Sequence, residues 1–132
     1  MIIIIPIEYR DIPAWLINAA ETDGILFSRC CSYYAALLDN EIIGLCAILF
    51  LVRAAWLKCN FVLPTYRGRG YGFKMICWRL RECAARGITR VFAHCTPMAV
   101  NIHLRAGAKM VGRFKNGIIK VKYESLSQSD SL

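Results

Sequence analysis

The stretch Tyr66-Arg67-Gly68-Arg69-Gly70-Tyr71-Gly72 carries the densest chemical signal in the chain. Three glycines at alternate positions remove the side chains that would hold a ligand off the main chain, and they permit backbone angles other residues resist. The stretch lies between an apolar, strand-like run, Leu57 to Leu63, and a helical pattern, Phe73 to Arg86. It therefore leaves a row of N–H donors at a helix N-terminus, where the helix dipole favours phosphate oxygens, and Arg67 and Arg69 add full charges. The spacing predicts a pyrophosphate cradle. Two other phosphate loops are excluded: no Gly-Lys-Ser or Gly-Lys-Thr follows, and the glycines do not keep the G-x-G-x-x-G spacing or precede an acidic residue about twenty positions on.

The pattern that does fit is [Arg/Gln]-x-x-Gly-x-[Gly/Ala], met by Arg67, Gly70 and Gly72 after a run ending in Val62-Leu63-Pro64. It resembles the acyl-CoA-binding loop of the GNAT superfamily of N-acetyltransferases. Arginine and glycine usage alone produces this pattern often, so its position between strand and helix carries the resemblance.

The elements around the loop follow from periodicity and turn chemistry. Ile2 to Ile7 reads as a buried strand. Asp11 is placed to cap a helix with Pro13 in its first turn and Trp15, Leu16 and Ala19 at helical spacing, broken by Thr22-Asp23-Gly24. Residues 25–32 fit a second short helix or a loop. Tyr33 to Leu38 and Ile42 to Phe50 read as a hairpin across Asp39-Asn40-Glu41, and Ala54 to Val62 as the next strand. The helix from Phe73 sets Phe73, Ile76, Cys77, Leu80, Cys83 and Ala84 against Lys74, Arg79, Arg81, Glu82 and Arg86, and Gly87 closes it. Trp78 falls on the charged side; a dimer contact and a base-stacking platform are weighed there against the preferred reading, an indole lying under arginine stems. Arg90 to Cys95 is a strand, Thr96-Pro97 opens a short helix ending at Gly107, and Lys109 to Phe114 and Ile118 to Tyr123 flank the hairpin signal Asn116-Gly117. The expected architecture is α/β (α+β): a mixed, mostly antiparallel sheet of about seven strands with three or four helices. It resembles the GNAT fold from about residue 2 to 124, with one domain over 1–124 and a polar tail at 125–132.

Composition bounds the class. The chain of 132 residues has 57% hydrophobic residues, broken by charges before any run is long enough to cross a bilayer. Met1-Ile2-Ile3-Ile4-Ile5 lacks the features of a signal peptide, so a cytoplasmic protein without membrane contact is expected. Seven cysteines with no C-x-x-C pair, and only two histidines, predict reduced thiols and no metal site, with reactivity at Cys59 or Cys95 the lesser alternative. Residues 1–52 hold two basic and six acidic side chains, a net of −4, whereas residues 53–132 hold fifteen basic and three acidic, a net of +12. Such a field concentrates anions and disfavours a polycationic small acceptor.

The resemblance assigns roles by position. It implies acetyl-CoA as donor, its pantetheine arm held by the backbone of Phe61 and Val62 and its pyrophosphate by the main chain of Arg67, Gly68, Arg69, Gly70, Tyr71 and Gly72. Thr96 stands where relatives often have an asparagine facing the cofactor. His103 stands where they often have the tyrosine that protonates the departing thiolate, though a partly buried imidazole satisfied by the backbone is the competing reading. The strand Trp56 to Val62 has no carboxylate to act as base. Asn60 and Cys59 occupy that region and neither is a good base; His94, facing away from Val91, Ala93 and Cys95 by alternation, is placed to reach the cleft. The implied reaction is direct attack of an amine on the thioester, with a protein, aminoacyl-RNA or nucleobase amine favoured over a polyamine. A non-catalytic module binding CoA or nucleic acid is the alternative, and a homodimer is compatible with both.

Overall fold

The computed structural model describes residues 1–124. Seven strands form one sheet in the order β1-β2-β3-β4-β5-β7-β6: β1 Ile2–Ile7, β2 Ser32–Leu38, β3 Glu41–Phe50, β4 Ala54–Val62, β5 Arg90–Cys95, β6 Ala108–Arg113 and β7 Ile119–Tyr123. Three helices accompany them, α1 Ala14–Thr22, α2 Tyr71–Ala85 and α3 Val100–Arg105. The expected mixed, mostly antiparallel sheet of about seven strands with three or four helices is therefore the fold, with three helices among the described residues. Residues 25–31 hold neither helix nor strand, residue 32 opens β2, and the predicted polar tail lies outside the described residues.

Local chemistry explains the order. Asp39 and Asn40 both take positive φ, 51° and 67°, as a two-residue hairpin turn requires, so β2 runs straight back as β3. Asp11 lies in a short helical turn, Tyr9–Asp11, and Pro13 stands at the start of α1 with no side-chain cap, so the expected Asp11 cap does not form. The other expected elements appear with ends shifted by up to a few residues.

The sheet has two unequal faces. On one, Met75, Ile76, Leu80 and Cys83 of α2 pack with Ala55, Leu57, Val91, Ala93, Ile119, Val121 and Tyr123, forming the larger core. On the other, Leu16 and Ala20 of α1 pack with Tyr33, Leu45, Ala47 and Phe61, covering only the β2–β4 part. Among the described residues the only parallel pair is β4–β5, and its pairing stops at Leu57↔Ala93 although β4 continues to Val62 and β5 to Cys95. Past that point the two strands separate, and the sheet opens.

Candidate active site

The opening is held by a defect in β4. Cys46 pairs with Asn60 but Ala47 pairs with Lys58, so Cys59 is an extra residue, bulged out at φ 50°. The bulge resets the alternation: Lys58 lies on the face of Trp56, whereas Asn60 turns to α2. Its Nδ2 donates to the Gly72 carbonyl at 3.4 Å and its Oδ1 accepts from Arg79 at 2.6 Å.

Arg79 is the group behind the bulge. Its side chain is 1% exposed, and its guanidinium donates to the carbonyls of Met75, Ala47, Lys58 and Cys59 as well as to Asn60. A carboxylate is absent from this set; main-chain dipoles and one amide satisfy the buried charge. The amphipathic reading placed Arg79 on the solvent side of α2, and the structure corrects it. The helix instead buries Met75, Ile76, Arg79, Leu80 and Cys83. Trp78 is half-buried, its ring 4.9 Å from that of Tyr34.

The glycine loop lies across the opening. The N–H of Arg67 donates to Pro64 at 3.3 Å, but among the described residues those of Gly68 through Gly72 donate to no protein acceptor. Gly68 and Gly70 take φ of 79° and 84° with nothing within 4 Å of where a Cβ would stand, so the main chain is open to a ligand. Gly72 has a different reason to be glycine: a Cβ there would meet Asn60 Nδ2 and Ile102 Cδ1, each at 3.3 Å. These unpaired donors at the start of a fifteen-residue helix fit a diphosphate.

A cavity of about 930 Å³ joins the loop to the split in the sheet. Of the residues expected to bind cofactor, Phe61, Val62, Arg67, Gly68, Gly70, Tyr71, Gly72 and Thr96 line it, with Asn60; Arg69 does not. Sequence reasoning missed Ile25, Tyr66, Met98, Ile102 and Arg105, which complete the wall with Asp23, Phe73 and Ala99. Of these Arg105 is the cation, its guanidinium 4.8 Å from the Phe73 ring centroid, whereas Arg67 is held by a carboxylate: its Nη2 meets Asp23 at 2.5 Å and its Nε donates to the Val62 carbonyl at 2.7 Å. Arg69 lies over the Tyr66 ring at 5.5 Å. Thr96 accepts from the Ala99 N–H at 3.3 Å, capping the turn before α3.

The register refines which strand groups are free. Leu63 N–H donates to Ile43 at 2.8 Å, so by antiparallel alternation Phe61 is also in a hydrogen-bonded pair, with Leu45. The Phe61 main chain therefore faces β3, and the expectation that it holds the pantetheine arm is corrected; Phe61 contributes its buried ring. Val62 and Asn60 turn their main-chain groups toward the gap.

The histidines part company. His103 is 6% exposed, lies outside the cavity wall, and shares a hydrogen bond between its Nδ1 and the Tyr123 hydroxyl. Burial, and secondarily the Arg79 guanidinium, hold its pKa at about 4, while burial raises that of Tyr123. At neutral pH His103 carries no imidazolium proton to give, so the expected acid role lacks its charged form. His94 is exposed on the other face, its ring centroid 4.7 Å from Trp56 and 5.3 Å from Phe114. Desolvation, then Lys58 and Lys120, lower its pKa, which keeps it in the neutral form at pH 7 while weakening it as a base. His94 does not line the cavity; it stands at the end of β5, two residues before Thr96, which does.

The thiols offer no competing chemistry at the cavity. The cysteines are free; Cys46, Cys83 and Cys95 are buried and Cys30 is exposed. Burial pushes the Cys59 thiol up to about 12. Among the described residues no cluster of three or more His, Cys, Asp or Glu is placed to hold a metal, and no helix is long and apolar enough to cross a membrane.

Comparison with known proteins agrees with this geometry. Residues 6–107 match the model of the Acetyltransferase (GNAT) family. Among solved structures, the chain is similar to an IAA acetyltransferase from Bacillus cereus ATCC 14579 at 15% identity, with a TM-score of 0.78 over 94% of this chain and 99% of that one. A GNAT family acetyltransferase from Elizabethkingia anophelis with acetyl-CoA bound superposes at 16% identity and a TM-score of 0.75, covering 93% and 97% of the two chains. The ribosomal-protein-S18-alanine N-acetyltransferase from Escherichia coli does so at 14% identity and 0.78, covering 95% and 94%. No curated protein matches by sequence.

Proposed function

The chain belongs to the GNAT family of acetyltransferases, and from that premise we propose that it moves an acetyl group from acetyl-CoA to an amine borne by a protein, an aminoacyl-RNA or a nucleobase. Attack is direct, in a ternary complex. The observation that carries this reading is the run of unpaired N–H groups from Gly68 to Gly72 beside a sheet split past Leu57↔Ala93.

When bound, acetyl-CoA supplies a thioester whose acetyl carbon the amine attacks, so that a C–N bond forms and the C–S bond breaks. The loop N–H groups would hold the diphosphate, with Arg105 as the nearby unpaired cation. The Val62 N–H and the Asn60 main chain would pair with the pantetheine arm, the Val62 carbonyl being taken by Arg67. Arg79 keeps the bulge in place behind them and touches no substrate. Thr96 closes the far wall. The amine would lose its proton through water, which could pass it to His94, neutral at pH 7 and outside the cavity wall, and the departing thiolate would take its proton from solvent. A polyamine is disfavoured because the half of the chain that builds the site is strongly basic.

Incubating the protein with acetyl-CoA and separate pools of peptides, aminoacyl-RNAs, nucleosides and polyamines, while following free thiol, tests the proposal. Steady thiol release above hydrolysis is expected with at least one of the first three pools. Turnover with polyamines alone would overturn the acceptor assignment.

A further inference from the structure

Opposite α2, the C-terminal half of the sheet is uncovered, and its side chains are not those of an ordinary solvated face. Trp56 and Phe92 are direct partners across β4 and β5, their rings stacked at 5.2 Å, and His94 continues the line at 4.7 Å from Trp56. Across the next strand boundary Phe92 pairs with Lys122 and His94 with Lys120, so alternate residues of three strands interleave aromatic rings with ammonium groups. Lys120 stands 5.0 Å from the Phe92 ring, Lys58 5.6 Å from Trp56, and Arg90 5.9 Å from Phe92. Phe114, half exposed, closes the end of the row against His94. Among the described residues, no acidic side chain pairs with any of these cations.

We infer that this face binds single-stranded nucleic acid. A row of part-exposed rings on one sheet face, Trp56 and Phe92 stacked at 30° and His94 tilted 56° from Trp56, offers ring surface for unpaired bases to stack against, and cations spaced along the same strands match the phosphates between them. The ammonium groups over the rings are displaceable, because stacking a base is worth more than a surface cation–π contact. An acidic peptide would use the lysines but has little to place on a row of aromatic rings; the rings are what select nucleic acid. The row runs to His94, at the end of β5 where the sheet splits, so a bound strand would lead to the gap. Only this last point rests on the acetyltransferase reading, for which the strand would be the carrier of the acceptor amine.

The test uses a fluorescein-labelled twelve-nucleotide single-stranded RNA of mixed sequence, titrated with the full chain and followed by anisotropy. With four cations engaged, log Kd should rise with log salt at a slope of about 3, falling to about 1.5 in Lys120→Ser/Lys122→Ser. Trp56→Leu and Phe92→Leu should each weaken binding about tenfold or more while leaving the slope unchanged, which a loss of charge alone cannot do. Circular dichroism and acetyl-CoA titration of each variant report folding and the cofactor site independently. Failure of acetyl-CoA to bind would count against the acetyltransferase reading and leave the RNA result to stand by itself. Absence of RNA binding at low salt would overturn the inference, as would a heptaglutamate peptide competing as well as unlabelled RNA. Equal affinity of wild type and both ring variants would do so as well.

Discussion

Arg79 shows how one residue can hold a site that it does not enter. Its guanidinium bridges α2, β3 and both sides of the bulge in β4, and removing it would strand several carbonyls in a closed interior. Arg79→Met should therefore cost about 3 kcal/mol or more of stability in urea denaturation. Arg79→Lys keeps the charge but not the planar fork, so acetyl transfer should fall by at least tenfold with acetyl-CoA affinity changed far less. Equal turnover by the lysine variant would remove the bulge from the mechanism. His103 makes a prediction of a different kind. Its folded pKa of about 4 lies below the ordinary histidine value, so between these limits the unfolded chain binds the extra proton and stability falls as pH falls. From pH 7 to pH 5 the loss should be roughly 2 kcal/mol, read from urea midpoints, and His103→Gln should abolish it. The placement of Arg79 was not legible in the sequence, and that of His103 only as one of two readings. Arg79 sits among charged neighbours on a helix, and only the carbonyls exposed by a bulge make its burial affordable. His103 was found by position, but its partner Tyr123 lies twenty residues away on another strand.

At the scale of elements, the glycine loop and the end of β4 form one device. Gly70 and Gly72 serve it differently, and substitution separates the two roles. Gly70→Val places a branched side chain at φ 84° beside free N–H groups, so acetyl-CoA affinity should drop at least tenfold in a calorimetric titration with modest loss of stability. Gly72→Val pushes on Asn60 and Ile102 at 3.3 Å, so it should lower both affinity and stability, the latter by roughly 1–3 kcal/mol. If Gly70→Val bound acetyl-CoA undiminished, the diphosphate would have to lie elsewhere. Most elements were readable because their signals are local: β-branched runs, the Asp39-Asn40 turn, the Gly87 stop and the Asn116-Gly117 hairpin. The bulge at Cys59 was not, since a strand read by strict alternation puts Lys58 and Asn60 on one face. The separation of β4 from β5 was legible only through resemblance, because parallel pairing between distant strands leaves no mark on either one. The role of Arg67 was half legible: the loop requires it, yet its charge is spent on Asp23, forty-four residues earlier.

For the whole molecule, charge is divided along the chain, and the fold keeps the division useful. The acidic N-terminal part supplies α1, β1 to β3 and, through Asp23 and Ile25, one edge of the cavity, while the basic remainder builds the cradle, the rest of the cavity wall and the uncovered sheet face. A field of one sign over that half should draw a polyanionic donor toward the cavity from beyond contact distance, which raises the association rate and leaves the dissociation rate to the contacts themselves. Arg53 and Lys115 isolate this effect because both are exposed and neither lines the cavity. Arg53→Glu/Lys115→Glu removes four units of positive charge without touching the site. In stopped-flow mixing with acetyl-CoA at about 20 mM salt, the association rate should fall several-fold with the dissociation rate unchanged, and the difference should close near 0.5 M, where the Debye length shrinks to about 4 Å. A difference that persists at high salt, or that appears in the dissociation rate, would mean that the two positions act through local structure, and the long-range field would then explain nothing about how the donor arrives.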